Sequence, residues 1–221
     1  MQKSNYIPIT IVDGFLEYPD RLREYALSLN CYSDVTNRWP GVRSESLYSL
    51  SPVLFNAINQ KILDLFFSKN QVYQYNAISQ FQIVNKKYQS GWVHQDPYVL
   101  TAILYLSPNS ISGTSLYSKK NIHYNDLTYI DEKVNSYKDN TNNEEFLKLH
   151  NQNYEETLNV KGLYNRLLVF DSSIYHAAHD FFGNDHIDSR LTLTTFVDGI
   201  AGDCTTSLRR CKSHTTSGTV I

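Results

Sequence analysis

The chain has 221 residues, enough for one domain or one domain with extensions, and its 41% hydrophobic content can bury a core. Charged residues are sparse at 19%, and 20 basic against 22 acidic side chains leave a formal charge of −2, which excludes the basic footprint of a duplex nucleic-acid binder. Seventeen tyrosines suit strands and an amphipathic pocket better than a helical bundle.

Ile7 to Val12 alternate weakly and read as a short strand ended by Asp13-Gly14. Pro19 is placed to open a helix whose face is Leu22, Tyr25, Ala26 and Leu29. Ser33 to Ser46 reads as a polar link holding Trp39-Pro40-Gly41-Val42-Arg43. Ser51-Pro52 is an N-cap followed by an N1 proline, and it starts a second helix with the stripe Leu54, Phe55, Ile58, Ile62, Leu65 and Phe66.

From Val72 the sequence turns strand-like, with Tyr73, Tyr75, Ala77, Phe81, Ile83 and Val84 supplying aromatic and branched side chains. Val99 to Leu106 is a nearly unbroken apolar strand stopped by Ser107-Pro108, and Gly113 to Tyr117, Leu167 to Phe170 and Leu191 to Val197 come after it. Many short strands after two helices predict a mainly β chain with flanking helices (α+β), a β-sandwich or jelly roll with helices on one sheet. Ser118 to Gly162 breaks the pattern: it is polar, with one helix-like patch at Glu144 to His150, and reads as a lid or as a solvated insertion. The tail from Gly199 to Ile221 has no apolar period and reads as extended, so the domain is placed at residues 1–198.

His94-Gln95-Asp96 comes just before the apolar strand and is answered by His176 and then Arg190. On a strand, positions i and i+2 project to one side, so His94 and Asp96 can chelate one ion together. Two histidines and one carboxylate occupy one face of a metal and leave the other open, the donor set of mononuclear non-heme Fe(II) oxygenases. An arginine beyond the second histidine can anchor a dicarboxylate through a bidentate ion pair. His179 competes with His176; an offset of three puts the two on opposite strand faces, so they cannot ligate together. His123, His150, His186 and His214 read as solvated, and Arg43 reads either as a substrate-carboxylate contact or as a surface arginine.

Tyr88-x5-His94-x-Asp96, Ala102 to Ser107, Asn165 to Phe170 with x5-His176, and Arg190 to Phe196 together resemble the prolyl-4-hydroxylase-like branch of the Fe(II)/2-oxoglutarate oxygenases. With Val12-Asp13-Gly14-Phe15-Leu16 and Pro40-Gly41-Val42-Arg43, the resemblance extends to a bacterial and phage group of that branch and covers most of residues 7–198. It implies a double-stranded β-helix (cupin-like jelly roll), with iron held by His94, Asp96 and His176 as the catalytic triad. Arg190 is implied to pair with the far carboxylate of the 2-oxoglutarate cosubstrate. Tyr105 either hydrogen-bonds that carboxylate or is a core tyrosine. The implied reaction uses O2 to hydroxylate a C–H bond of a small molecule (an amino acid among the candidates) or peptide side chain, releasing succinate and CO2. Asp96 retains the carboxylate that related halogenases lack, which favours hydroxylation over halogenation, with desaturation and ring closure open. The rival readings are a non-catalytic metal- or ligand-binding β-helix protein and a cupin-like isomerase.

Cys31, Cys204 and Cys211 lack zinc-type spacing and read as thiols of a reducing compartment, a Cys204–Cys211 pair being the alternative. Met1 to Ile11 lacks the charged-then-apolar run of a signal peptide, and no stretch approaches the ~20 apolar residues that span a bilayer. A cytoplasmic, non-membrane protein is therefore expected, its oligomeric state unmarked in the sequence.

Overall fold

The computed structural model describes residues 9–67, 73–108, 112–139 and 142–202. In chain order the elements are β1 (Ile9–Val12), α1 (Pro19–Ser28), β2 (Cys31–Ser33), β3 (Val42–Ser44), α2 (Leu47–Leu50), α3 (Pro52–Leu63), β4 (Tyr73–Val84) and β5 (Leu100–Tyr105). They continue with β6 (Gly113–Lys119), α4 (Ile130–Lys138), α5 (Glu144–Asn151), β7 (Tyr154–Lys161), β8 (Leu167–Asp171), β9 (Tyr175–His179) and β10 (Arg190–Gly202). Seven strands form one sheet in the order β1-β8-β5-β10-β4-β3-β2, and three form a second in the order β7-β6-β9. Both sheets are antiparallel throughout these pairings. Two antiparallel sheets with a few helices make a mainly β, jelly-roll-like arrangement.

The larger sheet is buried on both faces, which explains why its central strands read as continuous apolar runs rather than alternating ones. Leu100, Ala102 and Leu104 of β5, Leu167 and Val169 of β8, and Leu191 and Leu193 of β10 face the helices and share one core with Ala26, Ile58 and Ile62. Fully burying side chains of the Ile58 or Ile62 kind stabilises by about 1.5–3 kcal/mol each. The alternate residues Ile103, Tyr105, Leu168 and Phe170 face the small sheet and pack with Leu116 and Val160.

Helix starts obey the sequence signals. Pro19 opens α1, and the Ser51 hydroxyl caps α3 by accepting from Leu54 N at 3.3 Å. The second stripe runs past the helix it belongs to, however. α3 ends at Leu63, and of the last two stripe residues Phe66 is buried from a turn while Leu65 is exposed. The Asp13-Gly14-Phe15-Leu16 segment is docked on the start of β8. Arg166 forks onto the Asp13 carboxylate at 2.6 and 2.9 Å, and Asn165 exchanges side-chain hydrogen bonds with both Leu16 backbone groups at 2.8 Å.

Three expectations are corrected. The Ser33–Ser46 link carries β3 and adjoins β2, which extend the large sheet beyond β4, and α2 comes directly after it; strands of three residues are too short to show a period. Residues 118–162 are not one irregular insertion, because they hold the end of β6, α4, α5 and the whole of β7. β7 is an edge strand whose Glu155, Glu156 and Asn159 are exposed or half-exposed on it, so it reads as polar. Residues 199–202, placed in the tail, continue β10. Ile7, Val72, Cys204, Cys211, His214 and the tail from residue 203 lie outside the described residues. No helix among the described residues is long and apolar enough to cross a membrane.

Candidate metal centre

Residues 89–96 run antiparallel beside β9 without counting as a strand. Phe181 N donates to Gln89 O (2.7 Å), Gly91 N to Ala178 O (2.7 Å) and Asp96 N to Ser172 O (3.0 Å). Between them His94 and His176 form an isolated bridge, exchanging backbone hydrogen bonds at 3.0 and 2.8 Å. Backbone pairing alone thus brings together two histidines eighty-two positions apart, and their rings meet with centroids 4.4 Å apart.

The ligand-capable atoms of His94, Asp96 and His176 all lie within 4.8 Å of one another. Asp96 spans the pair, with Oδ1 3.6 Å from His94 Nε2 and Oδ2 3.2 Å from His176 Nε2. His94, with 42% of its side-chain surface accessible, stands toward the open cavity, while Asp96 (14%) and His176 (6%) lie deeper. Each imidazole donates from Nδ1 to a carbonyl two residues back, Trp92 O and Ile174 O, both at 2.8 Å. That keeps a proton on each Nδ1 and turns both Nε2 atoms toward Asp96, the orientation a metal requires.

Desolvation, then the charge of His176, holds the His94 imidazole well below its ordinary value, so it is neutral and able to ligate. Burial alone raises the Asp96 carboxyl. The hydrogen bond from His176 and the charges of both histidines outweigh it, leaving the carboxylate ionised below its usual range. Thr101 Oγ1 donates to Asp96 Oδ2 at 3.1 Å and is itself 2.8 Å from Ser172 Oγ. An ionised carboxylate and two imidazoles turned toward it through Nε2 form a donor set suited to a divalent transition metal. His179 is not part of it. Three residues on along β9, its Nδ1 meets Asp180 at 2.7 Å and its Nε2 meets Asn159 at 3.1 Å.

The triad opens on a cavity of about 670 Å³, lined from several elements. Arg190, the first residue of β10, lies on its wall and is 4% exposed. Its Nε has no hydrogen-bond partner, and it makes no ion pair among the described residues. Its guanidinium sits 5.6 Å from the Tyr105 ring and 5.7 Å from that of Phe181. Burial pulls the guanidinium below its ordinary value and Tyr105 opposes that pull; an arginine nonetheless stays charged. Tyr105 does not line the cavity. It is 1% exposed, and its hydroxyl donates to Thr114 Oγ1 at 2.8 Å.

Arg43 also reaches the cavity, with its Cζ 4.3 Å from the Trp39 ring centroid and 5.8 Å from that of Phe196. Its position depends on Gly41, whose φ is +75° and where a Cβ would fall 2.1 Å from Ile83 O. Only glycine lets this backbone lie so close to β4. Desolvation lowers Arg43 to about 10, with Asp96 opposing, so it is charged at neutral pH. From α4, Ile130, Lys133, Val134 and Tyr137 close another side. Lys133 is lowered by desolvation to about 8, again with Asp96 opposing.

His150 is corrected from a solvated to a buried histidine. It is 4% exposed on α5, donates from Nε2 to Val93 O at 2.7 Å and accepts from the Tyr124 hydroxyl at 2.9 Å. Asn142 and Asn151 complete the support. Trp92 Nε1 donates to Asn142 Oδ1 (3.0 Å), Val93 N donates to Asn151 Oδ1 (3.0 Å), and Asn151 Nδ2 donates to Gly91 O (3.1 Å). Sequence reading missed Thr101, Lys133, Phe181 and Phe196 as site residues. Only Phe181, in the Phe181-Phe182-Gly183 run, carried a local signal.

No curated protein matches the sequence. Among solved structures, HygX of Streptomyces hygroscopicus with nickel, 2-oxoglutarate and hygromycin B bound aligns at a TM-score of 0.55 and 13% identity, covering 92% of this chain and 86% of that one. SnoK, a non-heme alpha ketoglutarate dependent carbocyclase from nogalamycin biosynthesis, aligns at 0.54 and 12% identity over 89% of this chain and 82% of that one. The epimerase SnoN, in complex with Fe3+, alpha ketoglutarate and nogalamycin RO, aligns at 0.51 and 15% identity over 89% and 82%. At these identities the likeness is one of fold. The sequence family is given by a match over residues 2–197, and by it the chain belongs to the family of unknown function DUF6445.

Proposed function

We propose that this chain is an Fe(II)- and 2-oxoglutarate-dependent oxygenase on a double-stranded β-helix, of the prolyl-4-hydroxylase-like branch, hydroxylating a C–H bond of a small molecule or peptide side chain. One observation carries the reading: the two-histidine, one-carboxylate cluster shares its cavity with a buried arginine that has no counter-charge. A buried cation of that kind is costly unless an anion completes it, and a dicarboxylate bound at the triad supplies one. Loaded with iron, 2-oxoglutarate and O2, such a site supplies oxygen insertion into an unactivated C–H bond with release of succinate and CO2.

The chain's own residues divide the remaining work. His94, Asp96 and His176 hold the metal on one face. Arg190 grips the distal carboxylate of the cosubstrate and so sets its register across the cavity. Tyr105 acts as a positioning residue, packed on Arg190 with its hydroxyl spent on Thr114, so the implied direct bond to the carboxylate gives way to support from behind. Tyr137 and Val134 of α4 line the cavity and exclude water from that side. Because Asp96 is present, the ligand set is complete without an added anion, which favours hydroxylation.

The test is succinate formation from 2-oxoglutarate with Fe(II) in air. The wild type is expected to release succinate, and Asp96→Ala to lose at least about a hundredfold of that rate. Equal release by both proteins, or none by metal-loaded wild type, removes the oxygenase reading in favour of a metal- or ligand-binding protein.

A further inference from the structure

The cavity concentrates positive charge in a chain whose formal charge is −2. Arg38, at the rim, and Arg43, Lys133 and Arg190 deeper in face Asp96, the one carboxylate of the lining, an excess of three positive charges among the lining side chains; Asp34, outside the lining, also acts on Arg43 and leaves a net excess of two. A divalent metal and dianionic 2-oxoglutarate cancel each other, so loading the site leaves that excess unchanged. Whatever else enters must meet it.

Arg43 is where it would be met. Its guanidinium has no ion pair or hydrogen bond among the described residues, and its Nε is buried without a partner. The Trp39 ring holds it at 4.3 Å, and Phe196, 5.8 Å from it, stacks on Tyr98 with centroids 4.8 Å apart and planes 27° apart. Arginine in such an aromatic setting keeps its N–H donors available for a planar or tetrahedral oxyanion. The neighbouring rings offer flat apolar surface to the rest of a ligand.

We propose that the substrate is a small organic anion with a flat apolar body: its carboxylate or phosphate is bound by Arg43, and its body lies against Trp39, Tyr98 and Phe196. The proposal names the substrate class of the site assigned above and rests on that oxygenase reading for the chemistry done on the bound anion.

The chain has two tryptophans, Trp39 and Trp92, and both line the cavity, so intrinsic fluorescence reports its occupancy. The experiment uses the full chain loaded with Zn(II) and titrates it with phenylacetate, phenylacetamide and phenyl phosphate at fixed ionic strength. 2-Oxoglutarate binding is followed separately by calorimetry. At least one anion is expected to bind about tenfold or more tighter than the neutral amide, and the tighter of the two identifies carboxylate or phosphate. Arg43→Gln should reduce that preference below about threefold, and Arg43→Lys should retain part of it. If Arg43→Gln does not fold, the Arg43→Lys titration decides, a preference equal to that of the wild type overturning the proposal. Equal binding of amide and anions, or an anion preference that survives Arg43→Gln, overturns the proposal. 2-Oxoglutarate binding without anion preference sinks this inference alone, whereas anion preference without 2-oxoglutarate binding sinks the oxygenase reading alone.

Discussion

Thr101 shows how the site is held at the scale of single residues. It lies on the face of β5 turned away from the helices, and its hydroxyl links Asp96 to Ser172 while the chain is 1% exposed there. Groups that orient a ligating carboxylate matter nearly as much as the ligand itself. Thr101→Val is therefore expected to weaken metal binding about 10- to 100-fold while lowering stability by only about 1 kcal/mol. Competition against a coloured chelator, with a melting curve alongside, checks both; unchanged metal affinity would mean Asp96 needs no such support. The cluster was legible because His94 and Asp96 stand two residues apart and because the offset of three excludes His176 and His179 together, while the choice of His176 rests on the Phe170-x5-His176 resemblance. Thr101, Lys133 and Phe196 were not, since nothing local to each marks it: they meet only where β5, α4 and β10 surround one space.

At the scale of elements, α4 and α5 do more than fill the interval between β6 and β7. Asn142, His150 and Asn151 bond to the backbone and indole of residues 91–93, the approach to His94. The sequence displayed α5 as a helix-like patch, and its Asn143 cap accepts from Phe146 N as a cap should. It hid the role, because a histidine in a polar stretch looks solvated until its helix docks. His150 is held below its ordinary value, first by desolvation. A histidine depressed in the folded state contributes stability that is complete above its unfolded value near 6.5 and is lost as pH falls below it. His94, depressed in the same direction, adds to that loss. Denaturant unfolding at pH 7.5 and 5.5 should show the wild type weakening at the lower pH. His150→Leu should be less stable at pH 7.5 by about 1–3 kcal/mol, with Val93 O and the Tyr124 hydroxyl left unpaired. Its pH dependence should be shallower but not absent. An undiminished pH dependence in the variant would show that His150 does not titrate with folding.

For the molecule as a whole, the large sheet separates two tasks. One face packs on α1 and α3 as ordinary core; the other, with the small sheet, encloses the cavity. The strands with both faces buried were visible as apolar runs. β2, β3 and β7 were not, being short or at an edge where one face stays polar. What the assembled fold adds is the placement of Arg190 on the same cavity as the triad, which motif spacing alone could not establish. Anaerobic titration of the protein with Fe(II) and 2-oxoglutarate, followed in the visible range for the charge-transfer band of a chelated keto acid, tests that placement most directly. A band in the wild type, abolished by Asp96→Ala and requiring at least about tenfold more 2-oxoglutarate in Arg190→Gln, is the expected result. Metal binding with no band, or a band whose 2-oxoglutarate dependence is the same in Arg190→Gln, would contradict it.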